Sequence, residues 1–451
     1  MNSKIGAIKK TGEGKTKKGV GEIAKIAPLL RTADLGEGAF LYTVKTGVRG
    51  MATIVGSIHG GMQHSFGNPM IAKVYGEMLL EGTKKKSKKK FHELLEARGI
   101  ELSFSVDKAY LRFSLRAVKD EIPLALSLLS EALCEPLLDE NAFQKIKKRL
   151  MGEIREIESD THELALIQFS QALFPKGHVN YMQNTGDLQK MLSRVSLGDM
   201  KKMGEGFGRD GLRVVAVGDV DASEIQKQLT SALGGLNESR FLPYREARNF
   251  LPSKRSENNI FVSAKTSIDL FMGTALSMRR DDEEFYPLML AMSVLGSGFT
   301  GRLMGRVRAR DGLTYHTYAT LAGMQNGASG FWMAYGSFAP QLFARGRLAI
   351  LREVEEISRH GISERELDHR KTMLAGKHLV SLGTTEGLAR AVLSVLEESL
   401  PLSLIDEYPQ KFKALTLDNV NSVIKKYINT DNLTIVSAGT HPKLGKRELA
   451  Q

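Results

Sequence analysis

Residues 306–319, RVRARDGLTYHTYA, bring cationic and phenolic side chains together at a predicted helix end. Asp311-Gly312 is typical of a helix C-terminus, with glycine as the cap and a strand following. A cation in the last helical turn interacts favourably with the helix dipole, which gives Arg308 a structural explanation. A helix–glycine–strand corner could equally aim the Arg308 guanidinium and the Tyr315 phenol at one point, as donors to a substrate carbonyl and a developing oxyanion. The residues alone leave both explanations open.

The chain is strongly basic, with a formal net charge of +12 over 451 residues, which raises the alternative of a polyanion-binding module. Much of the excess lies in the N-terminal arm and in residues 84–90, which hold six lysines. Lysine runs of this kind are usually solvated loops or helix entries. They also lack the interleaved aromatic residues with which basic surfaces stack nucleic-acid bases. Nucleic acid is therefore not the expected partner.

Residues that could ligate a metal are sparse. The single cysteine, Cys134, excludes an intrachain disulfide and a thiolate-rich metal cage, and its apolar neighbours predict a buried, inert thiol. His59 and His64 in a glycine-rich loop could ligate a metal, but no mononuclear zinc site with convincing spacing exists in the sequence. Residues 295–301 are glycine-rich without a nucleotide-binding pattern, and they predict a tight helix entry whose N–H groups could hold a carbonyl or an anion.

A weak internal repeat organises the chain. Residues 211–219 and 432–440 are both β-branched strands that end in glycine, at Gly218 and Gly439. Upstream of each strand, a helix-start pattern occurs, at Glu140 in the first half and at Glu364 in the second. The number of residues between Glu140 and Glu364 is nearly the same as that between the two glycines. In both copies an N-cap residue is followed by acidic residues and a long helix. Two features at nearly one offset predict a duplicated domain of about 220 residues.

Each half carries hairpin-like strand pairs and long helices, without the regular strand–helix alternation of nucleotide-binding folds. The predicted fold class is therefore α+β: two duplicated α/β-sandwich domains, each a mixed, mainly antiparallel sheet with helices packed on one face. Residues 37–235 and 257–445 form the predicted domains, and residues 236–256, with two prolines and many charges, form the linker. The predicted strands cover residues 41–44, 52–58, 101–106, 110–117, 260–264, 270–277, 313–319 and 330–335, and helices are predicted at 197–206, 302–310 and 417–427.

Residues 1–36 are predicted to be a flexible basic arm, because lysines occur there with glycines and without an apolar core. This is not a secretory signal, so the sequence as given predicts a cytoplasmic protein, and a periplasmic location would require a leader that has been removed. No apolar run reaches the ~20 residues that a membrane helix needs, and no membrane span is expected.

Residues 295–315 are similar to a sequence pattern of the peptidase family with an inverted zinc motif. The segment reads LGSGFTGRLMGRVRARDGLTY, and the family pattern is LGGGxSSRLFxxxREkxGLaY. This family includes insulin-degrading enzymes, pitrilysin, the mitochondrial processing peptidase and respiratory-complex core proteins. The resemblance extends over residues 37–440 and includes the duplication. Residues 78–83, MLLEGT, resemble the segment that follows the family's zinc motif.

The zinc motif itself departs from the family pattern, which is H-x-x-E-H in active members. Lys73 and Glu77 stand at the two histidine positions, and Gly76 stands at the catalytic glutamate. Glu153 follows Glu77 at the family's distance and stands at the position of the third ligand. The resemblance therefore implies that both imidazole ligands and the general base are missing, and that this chain holds no zinc.

In heterodimeric members of the family, one subunit carries the zinc, and its partner keeps an arginine and a tyrosine at a fixed spacing in the C-terminal half. Arg308 and Tyr315 have this spacing. The resemblance implies that this chain is the non-zinc subunit of a heterodimeric zinc metalloendopeptidase, inactive alone. Arg308 would hold a backbone carbonyl of a peptide or unfolded polypeptide, and Tyr315 would donate to the oxyanion at the zinc of the partner subunit.

The alternative implied by the resemblance is a catalytically inert scaffold or substrate-presenting homologue, as the respiratory core proteins are. The intact pair of Arg308 and Tyr315 favours the first interpretation, because a pure scaffold has no need for it.

Overall fold

The computed structural model describes residues 25–236, 238–241 and 255–442. Two sheets, each covered by its own hydrophobic core, organise this part of the chain. Most of the predicted linker at residues 236–256, and positions 1–24 of the predicted arm, lie outside the described residues. The predicted boundaries at the linker therefore stay predictions.

The N-terminal sheet has six strands in the order β1-β2-β8-β3-β7-β6, and its pairs are antiparallel except for β2 and β8. Two further strands, β4 and β5, form a separate short hairpin. The bounds are β1 Arg31–Gly36, β2 Ala39–Lys45, β3 Met51–His59, β4 Gly82–Thr83, β5 Lys86–Ser87, β6 Glu101–Val106, β7 Tyr110–Val118 and β8 Arg213–Gly218.

The C-terminal sheet has five strands in the order β11-β12-β10-β13-β9, with only β13 and β9 parallel. The bounds are β9 Ser256–Phe261, β10 Ile268–Ala275, β11 His316–Ala322, β12 Phe331–Phe338 and β13 Thr434–Gly439. Read in reverse, the order is β9-β13-β10-β12-β11, which corresponds strand by strand to β2-β8-β3-β7-β6 of the N-terminal sheet. In both sheets the first pair of this order is parallel and the other pairs are antiparallel. The duplication predicted from the sequence is therefore confirmed.

The paired glycines of the repeat have the same conformational role in both sheets. Gly218 ends β8 with a φ of 132°, and Gly439 ends β13 with a φ of 151°. A Cβ atom at Gly218 would lie 2.3 Å from the carbonyl oxygen of Met51, and one at Gly439 would lie 2.7 Å from that of Ser267. A side chain is excluded at both positions because the neighbouring strand is too close.

Fourteen α-helices and one π-helix, Leu303–Arg310, accompany the sheets in the described part of the chain. The helix starts marked by the repeat begin as predicted, with Asp139 capping α4 and Ser363 forming a capping box on α11. The bounds are α1 Pro69–Met78, α2 Lys88–Ala97, α3 Ile122–Cys134, α4 Glu140–Ile157, α5 Thr161–Leu173, α6 Thr185–Arg194, α7 Leu197–Gly206, α8 Ala222–Ala232, α9 Phe285–Gly296, α10 Phe343–His360, α11 Glu364–Ser381, α12 Thr385–Glu397, α13 Leu404–Lys413 and α14 Leu417–Tyr427.

Each half of the chain contributes one helix that packs on the sheet of the other half, and we call this the exchange of α5 and α12. Helix α5 follows the N-terminal sheet in sequence but packs on β10 and β13, and α12 from the C-terminal half packs on β3 and β8. Phe169 of α5 lies in one cluster with Phe271 and Val436, and Val392 of α12 lies in another with Val55 and Val217. The predicted α/β-sandwich class is confirmed, and the face of each sheet opposite its own helices is covered by a helix of the other half.

Three element boundaries differ clearly from the predictions. The strand predicted at residues 313–319 is displaced to His316–Ala322, because the Gly312 turn and the bend at Tyr315 come before it. The arm predicted at residues 1–36 is too long at its C-terminal end, because Arg31–Gly36 pairs with β2 as an edge strand. Just before it, the N–H groups of Ile26 and Ala27 donate to the Asp406 carboxylate at 2.7 and 2.8 Å, which fixes this segment to α13. Strand β9 begins earlier than the predicted 260–264, and its pairing with β13 decides its position. The sequence does not show this start because the first residues of the strand are polar and lack the usual strand pattern.

Candidate functional site

The helix end at Asp311-Gly312 is a π-helix running into a glycine turn and then into edge strand β11. Gly312 has a φ of 63° and donates its N–H to the Arg308 carbonyl at 3.0 Å. The N–H of Leu313 donates to the Val307 carbonyl at 3.0 Å. These bonds satisfy the carbonyls of Val307 and Arg308 in the last helical turn, and Gly312 is the cap that the sequence predicts.

Three of the four arginines around this helix are held by carboxylates. Arg302 makes two bonds of 2.8 Å to Glu366, Arg306 lies 2.8 Å from the buried Glu353, and Arg310 lies 2.7 Å from its neighbour Asp311. Such pairs orient a guanidinium and occupy its donors. These three arginines therefore have structural partners.

Arg308 differs from these three arginines. Among the residues that the structure describes, no hydrogen bond or ion pair of the Arg308 side chain occurs, and its guanidinium carbon lies 5.5 Å from the ring centre of Phe299. Phe299 belongs to the glycine-rich residues 295–301 and is 79% exposed. A cation over an aromatic face is held in place while its N–H donors stay available to a ligand.

Tyr315 is 91% exposed and lies in the bend between Gly312 and β11. The next tyrosine, Tyr318, is instead half-buried against Tyr335, with ring centres 4.9 Å apart. No hydrogen bond of the Tyr315 hydroxyl occurs within the described ranges. We call Phe299, Arg308, Gly312 and Tyr315 the arginine–tyrosine corner, in which a guanidinium and a phenol both keep their donors.

The sequence positions of the zinc motif come together in a second place, between α1 and α4. Lys73, Gly76 and Glu77 lie on α1, and Glu153 lies on α4. Arg149, also on α4, donates to Glu77 through one terminal nitrogen and to Glu153 through the other. We call these five residues the zinc-motif region. Arg149 was not identified from the sequence, although its i,i+4 spacing to Glu153 is a signal for a helical ion pair.

The residues of the zinc-motif region do not fit a zinc ion. Both carboxylates are engaged by a guanidinium, and the remaining ligand position holds Lys73, a cation. A Cβ atom at Gly76 would lie 2.6 Å from Cγ2 of Val106, so a general-base side chain has no room there. Burial raises the pKa of the Glu77 carboxyl, although Arg149 and Lys73 act in the opposite direction. The chain therefore has an ion-pair network where the family pattern places its metal.

His59 and His64 do not form a metal centre either. Their ring centres are 6.4 Å apart, and His59 is buried with its ring stacked on Tyr110. Burial lowers the pKa of His59 to about 4, so this imidazole is neutral at physiological pH. In the described part of the chain, no group of three or more His, Cys, Asp or Glu residues could hold a metal ion.

The lysine run at residues 84–90 is largely neutralised by glutamates. Lys85 lies 3.0 Å from Glu135, Lys86 bonds the buried Glu131, and Lys88 lies 2.6 Å from Glu81. Lys89 and Lys90 both approach Glu93 at 3.8 Å. Only Lys84 of the run lacks an ion pair with a described residue, and the run is a helix entry rather than an open basic surface.

The arginine–tyrosine corner and the zinc-motif region make no hydrogen bond, ion pair or ring contact with each other within residues 25–236, 238–241 and 255–442. No single helix in these ranges is long and apolar enough to cross a membrane. Helices α11 and α12 meet the requirements of length and apolar composition only when taken together, and they are bent by 109° at their junction.

Two family models match the chain. The model described as "Insulinase (Peptidase family M16)" matches residues 60–182, and the model described as "Peptidase M16 inactive domain" matches residues 207–374. Together these ranges cover more than half of the 451 residues.

Individual relatives agree with the family models. A Helicobacter pylori protein named "Non-peptidase homolog YmxG" is 25% identical over 377 residues, which cover 83% of this chain and 85% of the relative. A Streptomyces coelicolor protein named as an uncharacterized zinc protease is 22% identical over 77% of this chain and 76% of its own. The crystal structure of a peptidase M16 inactive domain from Pseudomonas fluorescens superposes with a TM-score of 0.83, at 22% identity, over 92% of this chain and 98% of the other.

The sheet order, the duplicated architecture and both family models therefore agree: this chain belongs to the M16 peptidase family, as a member without the zinc ligands of the family's motif.

Proposed function

We propose that this chain is the zinc-free subunit of a heterodimeric M16 metalloendopeptidase. The observation that carries the proposal is the state of Arg308. The other three arginines around the π-helix have carboxylate partners. The Arg308 guanidinium instead packs on exposed Phe299, and its N–H groups donate to no described residue. The position in the last helical turn and the Phe299 ring stabilise this cation without using its N–H donors, which suits a group that meets a ligand.

Each residue of the pair has a distinct chemical role in this proposal. The planar guanidinium of Arg308 donates to a backbone carbonyl of the bound peptide and fixes its register. The Tyr315 hydroxyl donates to the oxygen that becomes negative when water attacks the scissile carbonyl. Zinc and the general base belong to the partner subunit, because the zinc-motif region of this chain fits neither.

An inert scaffold or substrate-presenting role is the second candidate function. The relative named "Non-peptidase homolog" supports it, as does the match to the family's inactive domain. In that role the arginine–tyrosine corner has no chemistry to perform, so substitutions there should leave the activity of any complex unchanged.

Co-expression with a zinc-bearing M16 relative, preferably one encoded nearby, separates the two functions. Cleavage of an internally quenched peptide should appear only in the mixture, and a chelator should abolish it. Arg308→Ala and Tyr315→Phe should lower kcat/KM, while the matched controls Arg310→Ala and Tyr318→Phe should not.

Two results would contradict the proposal. Chelator-sensitive hydrolysis by this chain alone would place the whole active site in one subunit. A stable but inactive mixture, or an active one that tolerates both corner substitutions, would establish the scaffold role.

A further inference from the structure

A cavity of about 520 Å³ lies in the N-terminal half, between α1, the end of α3 and α7. Its volume is typical of sites for small ligands, which are mostly apolar with a few polar groups. It is remote in sequence from the arginine–tyrosine corner and shares no residue with the zinc-motif region. The apolar part of its wall includes Leu133, Leu137, Leu138, Leu197 and Phe207.

One wall of the cavity carries a buried hydroxyl without a partner. Tyr75 is 1% exposed, and within the described residues its hydroxyl oxygen has no hydrogen bond. The oxygen lies beside Gly204, where a Cβ atom would be 3.0 Å from it, and both residues line the cavity. Proteins pair nearly all buried polar groups, because an unmatched one loses its bonds to water without compensation. The phenol is therefore an unused donor facing the cavity.

Two lysines at the same cavity give it a positive charge. Lys84 is the member of the lysine run without a glutamate partner, and Lys201 also makes no ion pair with any residue in the described ranges. The one carboxylate at the cavity, Glu205, lies 3.7 Å from Arg240 and is partly neutralised. The cavity thus combines apolar walls, one neutral donor, one carboxylate next to Arg240, and two lysines that make no ion pair within the described ranges.

The loop that forms the outer wall is conformationally strained. Leu138 has a φ of 47°, in the left-handed region that a branched apolar residue rarely adopts. Strain of this kind persists where the surrounding structure imposes it, and it is concentrated at ligand-binding segments.

We propose that this cavity binds a small organic carboxylate with an apolar body, such as a medium-chain fatty acid. The hydrocarbon chain packs against the leucines and Phe207. The carboxylate accepts a hydrogen bond from the Tyr75 hydroxyl and is attracted by Lys84 and Lys201. Burial raises the pKa of the Tyr75 phenol, so this group keeps the proton that it donates.

Titration of the full chain with decanoate, followed by calorimetry, tests the proposal. Saturable one-site binding is expected, with weaker binding of decanol and none of acetate. Cys134 also lines the cavity, so bound decanoate should slow its alkylation by iodoacetamide. Because burial raises the pKa of this thiol, the alkylation is run at alkaline pH.

Substitutions at the cavity have matched controls in the chain. Tyr75→Phe removes only the hydroxyl and should weaken decanoate binding roughly tenfold, the usual effect of losing a hydrogen bond to a charged group. Lys84→Gln and Lys201→Gln should weaken it severalfold, and salt should reduce this difference. Their sequence neighbours provide the controls Lys85→Gln and Lys202→Gln, because neither residue lines this cavity.

Three outcomes would overturn the proposal. They are a lack of saturable decanoate binding, equal affinity for decanoate and decanol, and equal weakening by the control substitutions. Circular dichroism of Tyr75→Phe guards against misfolding, since the substitution breaks no hydrogen bond within the described residues.

Discussion

The zinc-motif region and the arginine–tyrosine corner both stand at positions that the M16 pattern associates with catalysis, and they differ in how their charges are used. In the zinc-motif region, Arg149 satisfies Glu77 and Glu153 from within the chain. In the corner, Arg308 and Tyr315 have no such internal partners among the described residues. Internal pairing gives the carboxylates of the zinc-motif region a structural partner, whereas the N–H and O–H donors of the corner remain available to bind a ligand.

The sharpest test of this contrast is the activity of the proposed heterodimer. Tyr315→Phe should reduce kcat by ~10²–10³-fold, as the loss of one oxyanion donor usually does. Lys73→Ala combined with Glu77→Gln should leave kcat within about twofold, because these residues touch no substrate in the proposal. Comparable losses in steady-state assays of both variants would remove the functional distinction between the regions.

A second test compares two arginines of the same π-helix. Arg306→Ala should lower the free energy of unfolding by about 2–3 kcal/mol, because it leaves the buried Glu353 carboxylate without its cation. Arg308→Ala should change it by less than about 0.5 kcal/mol, as expected for a surface side chain that makes no ion pair with a described residue. Urea unfolding of both variants measures the difference, and a costly Arg308→Ala would mean that this arginine is structural.

Two glycines, Gly76 in the zinc-motif region and Gly152 next to it on α4, test how much space a side chain would have. Gly76→Ala should destabilise the chain by ~1–3 kcal/mol, because its Cβ would lie 2.6 Å from Cγ2 of the stiff Val106 side chain. Gly152→Ala on α4 meets nothing within 4 Å and should stabilise by ~0.5–1 kcal/mol. Thermal or urea unfolding should therefore give opposite signs, and a neutral Gly76→Ala would show that this position has room for a side chain.

The smallest expected effect concerns the cation of the zinc-motif region. Arg149 is about half exposed, so solvent screens its pairs, and Arg149→Met should cost about 1 kcal/mol or less. Glu77 has a raised pKa in the folded chain, so its contribution to stability falls as the pH rises above the ordinary value of 4.5. Without Arg149 the pKa rises further, and this fall should become larger.

Unfolding free energies measured at about pH 4 and about pH 8 test the pH dependence. Arg155→Met on the same helix is the control, since Arg155 is exposed and makes no ion pair with a described residue. An equal pH dependence of the two variants would show that Arg149 does not stabilise the Glu77 carboxylate.

Local patterns allowed much of the fold to be predicted. The helices predicted at residues 197–206 and 417–427 have the bounds observed for α7 and α14, because each has an N-cap residue and a clear apolar face. The strand pattern placed β3, β6, β7, β10 and β12 within a few residues. The helix predicted at 302–310 is present, and its π geometry, which depends on packing, has no signal in a single sequence.

Features that depend on distant residues could not be predicted. The bond from Arg149 to Glu77 joins residues 72 positions apart, and the exchange of α5 and α12 depends on which sheet face remains uncovered after the chain has folded. The roles of Arg308 and Tyr315 stay predictions. The structure shows that these two side chains, unlike several similar neighbours, make no hydrogen bond with a described residue.

The exchange of α5 and α12 has a consequence for biosynthesis. Thr53 of β3 contacts Thr385 of α12, 332 residues later in the chain. At ~5–20 residues per second, a ribosome needs roughly 15–60 s to supply that helix after β3 has emerged. During this interval the valine-rich face that α12 will cover stays open to water, so the nascent N-terminal half exposes apolar surface that the finished chain buries.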